Sequence, residues 1–218
     1  KLATAQSPSY YHQYVHQNLG NIYTMRGEYE KAETSLNLFK NAASQPYQLG
    51  EVNNDLGKLF ENKKAYEKAL SFYQKGLNLK NLPDYIRGLL SSNLLTLQYK
   101  LKNYKAVIKE ANKTIQYLES NTDETSDWLM NTYSLIGLCH AHLGNSKASE
   151  AAFEQSFSFM KIAYKKNLHN RNIGKLYNKQ GEAYWLLNKH EQSLKAYQKA
   201  LNTVFPSVDE NNTNENPS

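Results

Sequence analysis

The chain has 218 residues, of which 40% are hydrophobic, and carries a formal charge of +6. Its one cysteine, Cys139, excludes an internal disulfide and a thiolate zinc cluster, and no run approaches the ~18 apolar residues of a membrane span. The lysines are scattered (Lys63, Lys64, Lys68, Lys75; Lys100, Lys102, Lys105, Lys109, Lys113), which describes solvated helix faces rather than a nucleic-acid groove with clustered arginines and stacking aromatics.

In chain order, Ser7-Pro8 is a helix start, with Ser at the cap and Pro at the first helical position, and predicts a helix to about Arg26. Gly27 ends it, because glycine takes φ > 0 at no steric cost. The partner helix runs over about residues 29–43. Ser44-Gln45-Pro46 breaks it and opens a second pair, about 46–62 and 65–79. Asn81-Leu82-Pro83 repeats the device and gives 83–101 and 104–119. The polar loop Ser120-Asn121-Thr122-Asp123 leads to 125–143 and, after Gly144-Asn145, to 146–165. The last pair is about 168–187 and 190–204, closed by Pro206. A flank over 1–8 and a tail over 207–218 bracket the pairs. The tail is rich in Asn, lacks aromatics and holds Asp209, Glu210 and Glu215 without a Lys or Arg, so it reads as disordered linker. The chain opens at Lys1 with neither Met nor a signal peptide, and is expected to be a piece of something longer.

One pattern recurs in these pairs. It reads Leu19-Gly20-x-x-Tyr23…Gly27-x-Tyr29-x-x-Ala32, then Leu56-Gly57-x-x-Phe60…Tyr66-x-x-Ala69-x-x-x-Tyr73. It returns as Leu94-Leu95…Tyr104-x-x-Val107, as Ile136-Gly137…Gly144-x-x-x-x-Ser149-x-x-x-Phe153, and as Gly181-x-x-Tyr184…Ser193-x-x-x-Tyr197-x-x-Ala200. These positions resemble the tetratricopeptide repeat (TPR). The resemblance covers residues 9–206 and implies an all-α fold, a right-handed superhelical solenoid of about five TPR helix pairs. Equivalent positions are 37, 38, 42 and 44 residues apart, against a usual unit of ~34. The extra length lies in the helices, most of it in the third and fourth pairs. The implied role is to bind other proteins.

In TPR arrays the first helix of each pair lines a concave groove, and the resemblance carries that lining to particular residues. Tyr14, Gln17 and Asn21 come from the first pair, and Glu51, Asn54, Lys58 and Glu61 from the second. Ser92, Thr96 and Tyr99 follow, then Asn131, Ser134 and Leu138, then Lys175, Asn178, Glu182 and Trp185. Amides and hydroxyls dominate, and such groups satisfy both N–H and C=O of an extended peptide. Asn54 and Asn178 occupy equivalent steps. Replacing both by Ala is expected to weaken partner binding at nearly unchanged melting temperature. A surface position is by default merely solvated, so each residue alone is a weak signal. The chaperone-binding TPR pattern for a C-terminal carboxylate is matched by Asn21 but not by Gln17, Asp55 or Leu89.

No catalytic constellation emerges. Cys139 and His140 are adjacent, but neighbours on a helix point about 100° apart, so both read as core. His12 and His16 lie one turn apart without a third metal ligand. The glycines are single, with no phosphate-cradling loop. The expectation is a non-enzyme without metal or cofactor in a reducing, cytoplasmic setting, with a protein or peptide in the groove and neither nucleic acid nor membrane as partner.

The last copy carries a sharper likeness. Tyr197-Gln-Lys-Ala-Leu-Asn-Thr-Val-Phe-Pro206, the Asp/Asn-rich stretch after it and Asn216-Pro217 resemble the junction in bacterial TPR–CHAT proteins, where long repeats precede a caspase-like peptidase. Residues 164–181 resemble their last inter-repeat turn, with His169-Asn170 where His-Pro is often found. That likeness implies a regulatory or docking arm, whose partner could include the rest of its own chain. A peptide-pheromone receptor domain and a passive assembly scaffold are the competing readings.

Overall fold

The computed structural model describes residues 9–120, 122–165 and 169–205, and side chains among them from Tyr14 onward with Asp123 excepted. Ser7-Pro8, Pro206 and the tail lie outside that range. Ten α-helices and no strand occur among the described residues. They are α1 (Ser9–Arg26), α2 (Tyr29–Ala42), α3 (Pro46–Asn62), α4 (Tyr66–Leu77), α5 (Asp84–Lys100), α6 (Tyr104–Glu119), α7 (Thr122–His142), α8 (Ser146–Ala163), α9 (Arg171–Leu186) and α10 (His190–Val204). The fold class is all-α, of the TPR-like solenoid type.

Each helix pair closes on the same turn. Gly27, Lys64, Lys102, Gly144 and Asn188 all take positive φ, between 58° and 76°, two residues before the second helix begins. In every case the next N–H reaches back five residues (Glu28 to Tyr23, Ala65 to Phe60, Asn103 to Gln98, Asn145 to His140, Lys189 to Tyr184). The positive-φ residue itself donates three residues back, as Gly27 does to the Thr24 carbonyl at 3.2 Å. Those two bonds make a Schellman ending, which satisfies carbonyls a helix terminus would otherwise leave bare. The bonds dictate the conformation and glycine only cheapens it. Gly27→Ala should therefore cost about 1 kcal/mol, while Lys64→Gly should gain a few tenths. Thermal melts of the two variants check the opposite signs.

Two helix starts differ from the sequence expectation. α7 begins at Thr122 rather than near 125, with Glu124 favourably placed at the positive end of the helix. The Thr125 hydroxyl donates back to the Leu118 carbonyl at 2.5 Å, tying α7 to the end of α6. α9 begins at Arg171 rather than near 168, because Asn170 Oδ1 accepts from the Asn172 N–H at 2.8 Å and caps the helix there.

The chain forms two compact units, Lys1–Leu97 and Gln98–Ser218, which divide within α5. In the first, α3 packs on α1 and α2, around Leu36, Phe39, Leu56, Leu59, Tyr73 and Leu90. In the second, α7 contacts α6, α8 and α9, and the core holds Met130, Leu138, Phe153, Met160, Ile173 and Leu176. Within the pairs a glycine faces a large residue sixteen positions on. A Cβ at Gly20 would lie 2.6 Å from Leu36, at Gly57 2.3 Å from Tyr73, at Gly137 2.7 Å from Phe153 and at Gly181 2.8 Å from Tyr197. Leu95 and Ala111, at the corresponding sequence positions of the third pair, are both buried. Two of these glycines also accept a serine: Ser149 Oγ donates to the Gly137 carbonyl at 2.9 Å, and Ser193 Oγ to Gly181 at 2.8 Å. No described helix is long and apolar enough to cross a membrane.

Candidate functional site

In the first unit the polar residues of α1, α3 and α5 converge on one acid. Asp55 is buried, and Gln17 Nε2 donates to its Oδ2 at 2.9 Å, with Asn21 Nδ2 on the same oxygen at 3.3 Å. Asn54 Nδ2 donates to Oδ1 at 3.3 Å, while Asn54 Oδ1 accepts from Asn93 Nδ2 at 2.6 Å. Burial pushes the Asp55 carboxyl upward, opposed by the Gln17 bond, by Lys58 and by the two asparagines. Glu51, one turn before it, is raised to about 6 by burial and by Asp55, and its Oε2 is buried without a hydrogen-bond partner. Lys58 is exposed at the rim, and Glu61 accepts from the Tyr73 hydroxyl at 3.0 Å. Thr96 turns its hydroxyl to the Ser92 carbonyl of its own helix, 3.0 Å away.

Asn54 is only 2% exposed, so its amide serves the packing of α3 against α5 rather than facing solvent. Removing it would orphan Asn93 and strip a donor from Asp55, at about 1–3 kcal/mol. The double Asn54→Ala, Asn178→Ala substitution therefore cannot leave stability nearly unchanged, which corrects the expectation from sequence. Asn178 alone is exposed.

In the second unit α7 and α9 face each other across a different polar cluster. Lys179 Nζ donates to Ser134 Oγ at 3.0 Å and to Asn131 Oδ1 at 3.4 Å. Both partners are neutral, and no described carboxylate forms an ion pair with it. Its ammonium is pulled down to about 8, by burial first and by Lys175 second, against the opposite pull of Asp127 and Glu182. Ser134, 1% exposed, donates to the Asn131 carbonyl at 2.8 Å and so orients the lysine instead of meeting solvent. Leu138 is buried in the core beneath. Asp127 is held by the hydroxyl of Tyr164, which accepts from Asn172 Nδ2 at 2.8 Å. Further along, the Tyr99 hydroxyl donates to Glu182 Oε1 at 3.2 Å and lies 3.2 Å from His142 Nε2, whose ring stacks on Tyr104 at 4.2 Å. Lys175 is exposed, and Trp185 is the most open large aromatic among the described residues, edge-on to His190.

The two clusters are the same repeat positions with charge exchanged. Taking Gly57 and Gly181 as equivalent, Glu51 corresponds to Lys175, Asp55 to Lys179 and Lys58 to Glu182, with Asn54 opposite Asn178. The first unit thus holds a buried Asp55 beside Glu51 with Lys58 exposed, and the second a half-buried Lys179 beside Lys175 with Glu182 exposed. The inward-residue pattern read from sequence picks 175, 178 and 182 and passes over Lys179 and Asn93. Aligning the second and fifth pairs, rather than mapping each helix alone, was the signal that could have found them.

Cys139 lies wholly buried, and burial pushes its thiol up to about 12, so thiolate is scarce at neutral pH. No group of three or more His, Cys, Asp or Glu suited to a metal occurs among the described residues, and the side chain of His12 lies outside them.

Residues 50–81 and 174–203 match the tetratricopeptide repeat family. These are the second and fifth pairs, those that carry the exchanged charges. No curated protein matches the chain. Among solved structures, BtubC (BKLC) from P. vanneervenii is similar with a TM-score of 0.72 at 13% identity, over 92% of this chain and 83% of that one. MamA of MSR-1 is similar at 0.50 and 18% identity, over 90% and 99%. At such identities the likeness is one of fold.

Proposed function

We propose that the chain is a non-catalytic protein-binding module, and that the α7–α9 face of its second unit holds an extended acidic segment of a partner. Tetratricopeptide repeats are protein-interaction repeats, and the class of function rests on them. The observation that carries the finer reading is Lys179. A half-buried ammonium held by an amide and a hydroxyl, with no ion pair among the described residues, leaves room for an acidic partner, where a structural lysine would be paired. Lys175 stands exposed one turn before it and supplies a second charge. A carboxylate reaching this face gains two cations in a partly desolvated setting.

The test is selection from a displayed random-peptide library on the immobilised chain, followed by affinity measurement. Acidic peptides should be enriched, and Lys175→Ala should weaken them about tenfold without lowering the melting temperature, because Lys175 is exposed and repels Lys179. Enrichment of basic or purely apolar peptides would end this reading. The likeness of residues 197–206 to the TPR–CHAT junction extends the proposal to a docking arm of a longer bacterial protein. Sequencing the parent gene through the region after Ser218 tests that extension, and a protein without a caspase-like domain there removes it.

A further inference from the structure

Among the described residues, the first and fifth pairs leave exposed the surfaces that correspond to ones buried in the second pair. In the first unit α5 covers the second pair. The backbone at Gly50 comes so near Ile86 and Leu82 that a Cβ there would sit 2.6 and 2.7 Å from them, and one at Gly76 would sit 2.8 Å from Leu90. Asn93 completes the joint with its 2.6 Å bond to Asn54. Under that cover Tyr73 is fully buried.

The fifth pair has the same surface, without such a cover among the described residues. Gly174, Asn178, Tyr197 and Ala200 stand where Gly50, Asn54, Tyr73 and Gly76 stand in the second pair. Here Asn178 is exposed and Tyr197 is 39% exposed, in an open cavity of about 520 Å³ edged by Leu201, Val204 and Phe205. Val204 already fills the space above Gly174, as Ile86 and Leu82 do above Gly50. An incoming helix need only supply the counterparts of Leu90 and Asn93.

α1 carries those counterparts. With Gly20 matched to Leu95, Leu90 corresponds to Val15 and Asn93 to Asn18. Val15, Leu19, Ile22 and Met25 form an exposed stripe at i, i+4, i+7 and i+10, each 37–78% exposed. The equivalents of the first three on α3 are Val52, Leu56 and Leu59, at most 1% exposed because they pack on the first pair. α1 has no Lys or Asp/Glu and no Arg before Arg26, so it meets Arg171 and Lys175 of the receiving face without repulsion.

We propose that α1 of a second copy docks on the α9–α10 face and continues the pair-to-pair interface from one molecule into the next. Asn18 of the incoming helix takes the part of Asn93 toward Asn178, and Val15 the part of Leu90 toward Ala200. The contact joins two different patches, so it is heterologous and adds copies until a ring closes or the protein runs out.

Sedimentation equilibrium of the full chain decides it, with two variants altered at exposed positions: Val15→Asp with Leu19→Asp, and Asn178→Arg with Val204→Asp. The wild type should gain mass with concentration, each variant should stay monomeric, and their equimolar mixture should stop at a dimer, since only one productive pairing is left. Circular dichroism checks that each variant keeps its helix content. Asn18→Arg and Asn178→Arg, single changes at exposed amides, serve as the pair if either double variant unfolds. A wild type monomeric up to about 1 mM, the weak limit for a small specific contact, overturns the proposal. So does association that survives the α1 changes, which would mean that another segment occupies the face, and so does a mixture that fails to dimerise.

Discussion

Gly57→Ala should destabilise the protein by about 1–3 kcal/mol in the native background, and should be neutral or stabilising by up to about 1 kcal/mol once Tyr73 is alanine. The change of sign follows from geometry. A Cβ at Gly57 would lie 2.3–2.8 Å from three ring atoms of Tyr73, closer than carbon atoms approach. The ring has nowhere to go, being fully buried and held through its hydroxyl to Glu61 at 3.0 Å. Tyr73→Ala alone removes the ring and should cost about 3–5 kcal/mol. With the ring gone, the three contacts that exclude a Cβ are gone too, and the better helix propensity of alanine over glycine can act. Urea midpoints for the two single variants and the double variant measure the coupling. Because repeat arrays can unfold in stages, helical signal and tyrosine fluorescence should be followed together. Losses that simply add would mean that Gly57 acts through something other than the ring.

Much of the fold was legible because local signals and the repeat agree. The bounds 46–62, 104–119 and 190–204 are those of α3, α6 and α10, each set by a proline or turn residue beside an apolar stripe. What could not be read locally was the conformation at Lys64, Lys102 and Asn188. They adopt at each turn what Gly27 and Gly144 adopt, because the two backbone bonds of the ending demand it whatever residue is present. Burial was less legible still. Asn54 and Asn178 hold the same place in their repeats, yet one is buried and the other open. The difference lies in whether a following helix arrives with an Asn93. Gln17 and Asn21, read from their own helix, face an outside ligand, whereas the structure turns both to Asp55 on the neighbouring helix. Side-chain identity alone does not tell which internal partner takes such hydrogen bonds.

Lys179→Met should make the protein more stable at pH 7 and a poorer binder, and the stability gain should fade as pH rises. The ordinary lysine value is 10.5 and the folded value about 8. The unfolded chain therefore binds more protons than the native one between those pH values, and stability from this group rises with pH across that window. Below pH 8 the folded state bears the whole cost of the enclosed charge, about 3 kcal/mol at 1.36 kcal/mol per unit. Methionine fills similar volume without the charge, but it forfeits the bonds to Ser134 and Asn131 and leaves those groups short of a partner. A net gain of about 1–2 kcal/mol is expected at pH 7, shrinking toward zero or reversing by pH 10. Glu51 perturbs a separate window. Its carboxyl is raised to about 6 from 4.5, so its cost grows as pH rises through that lower range and is complete before Lys179 titrates. The difference between wild-type and Lys179→Met unfolding curves at several pH values isolates the lysine. A variant less stable at pH 7, with a gap that does not change up to pH 10, would show that the ammonium is well compensated in the native fold. It would also remove the reason to see an unfilled anion site there. If the variant is stabilised but loses acidic peptides that Lys175→Ala still binds weakly, the strain held at Lys179 is what the partner relieves. Proton uptake on binding above pH 8, read by calorimetry in two buffers of different ionisation heat, should then accompany the wild type and vanish from the variant.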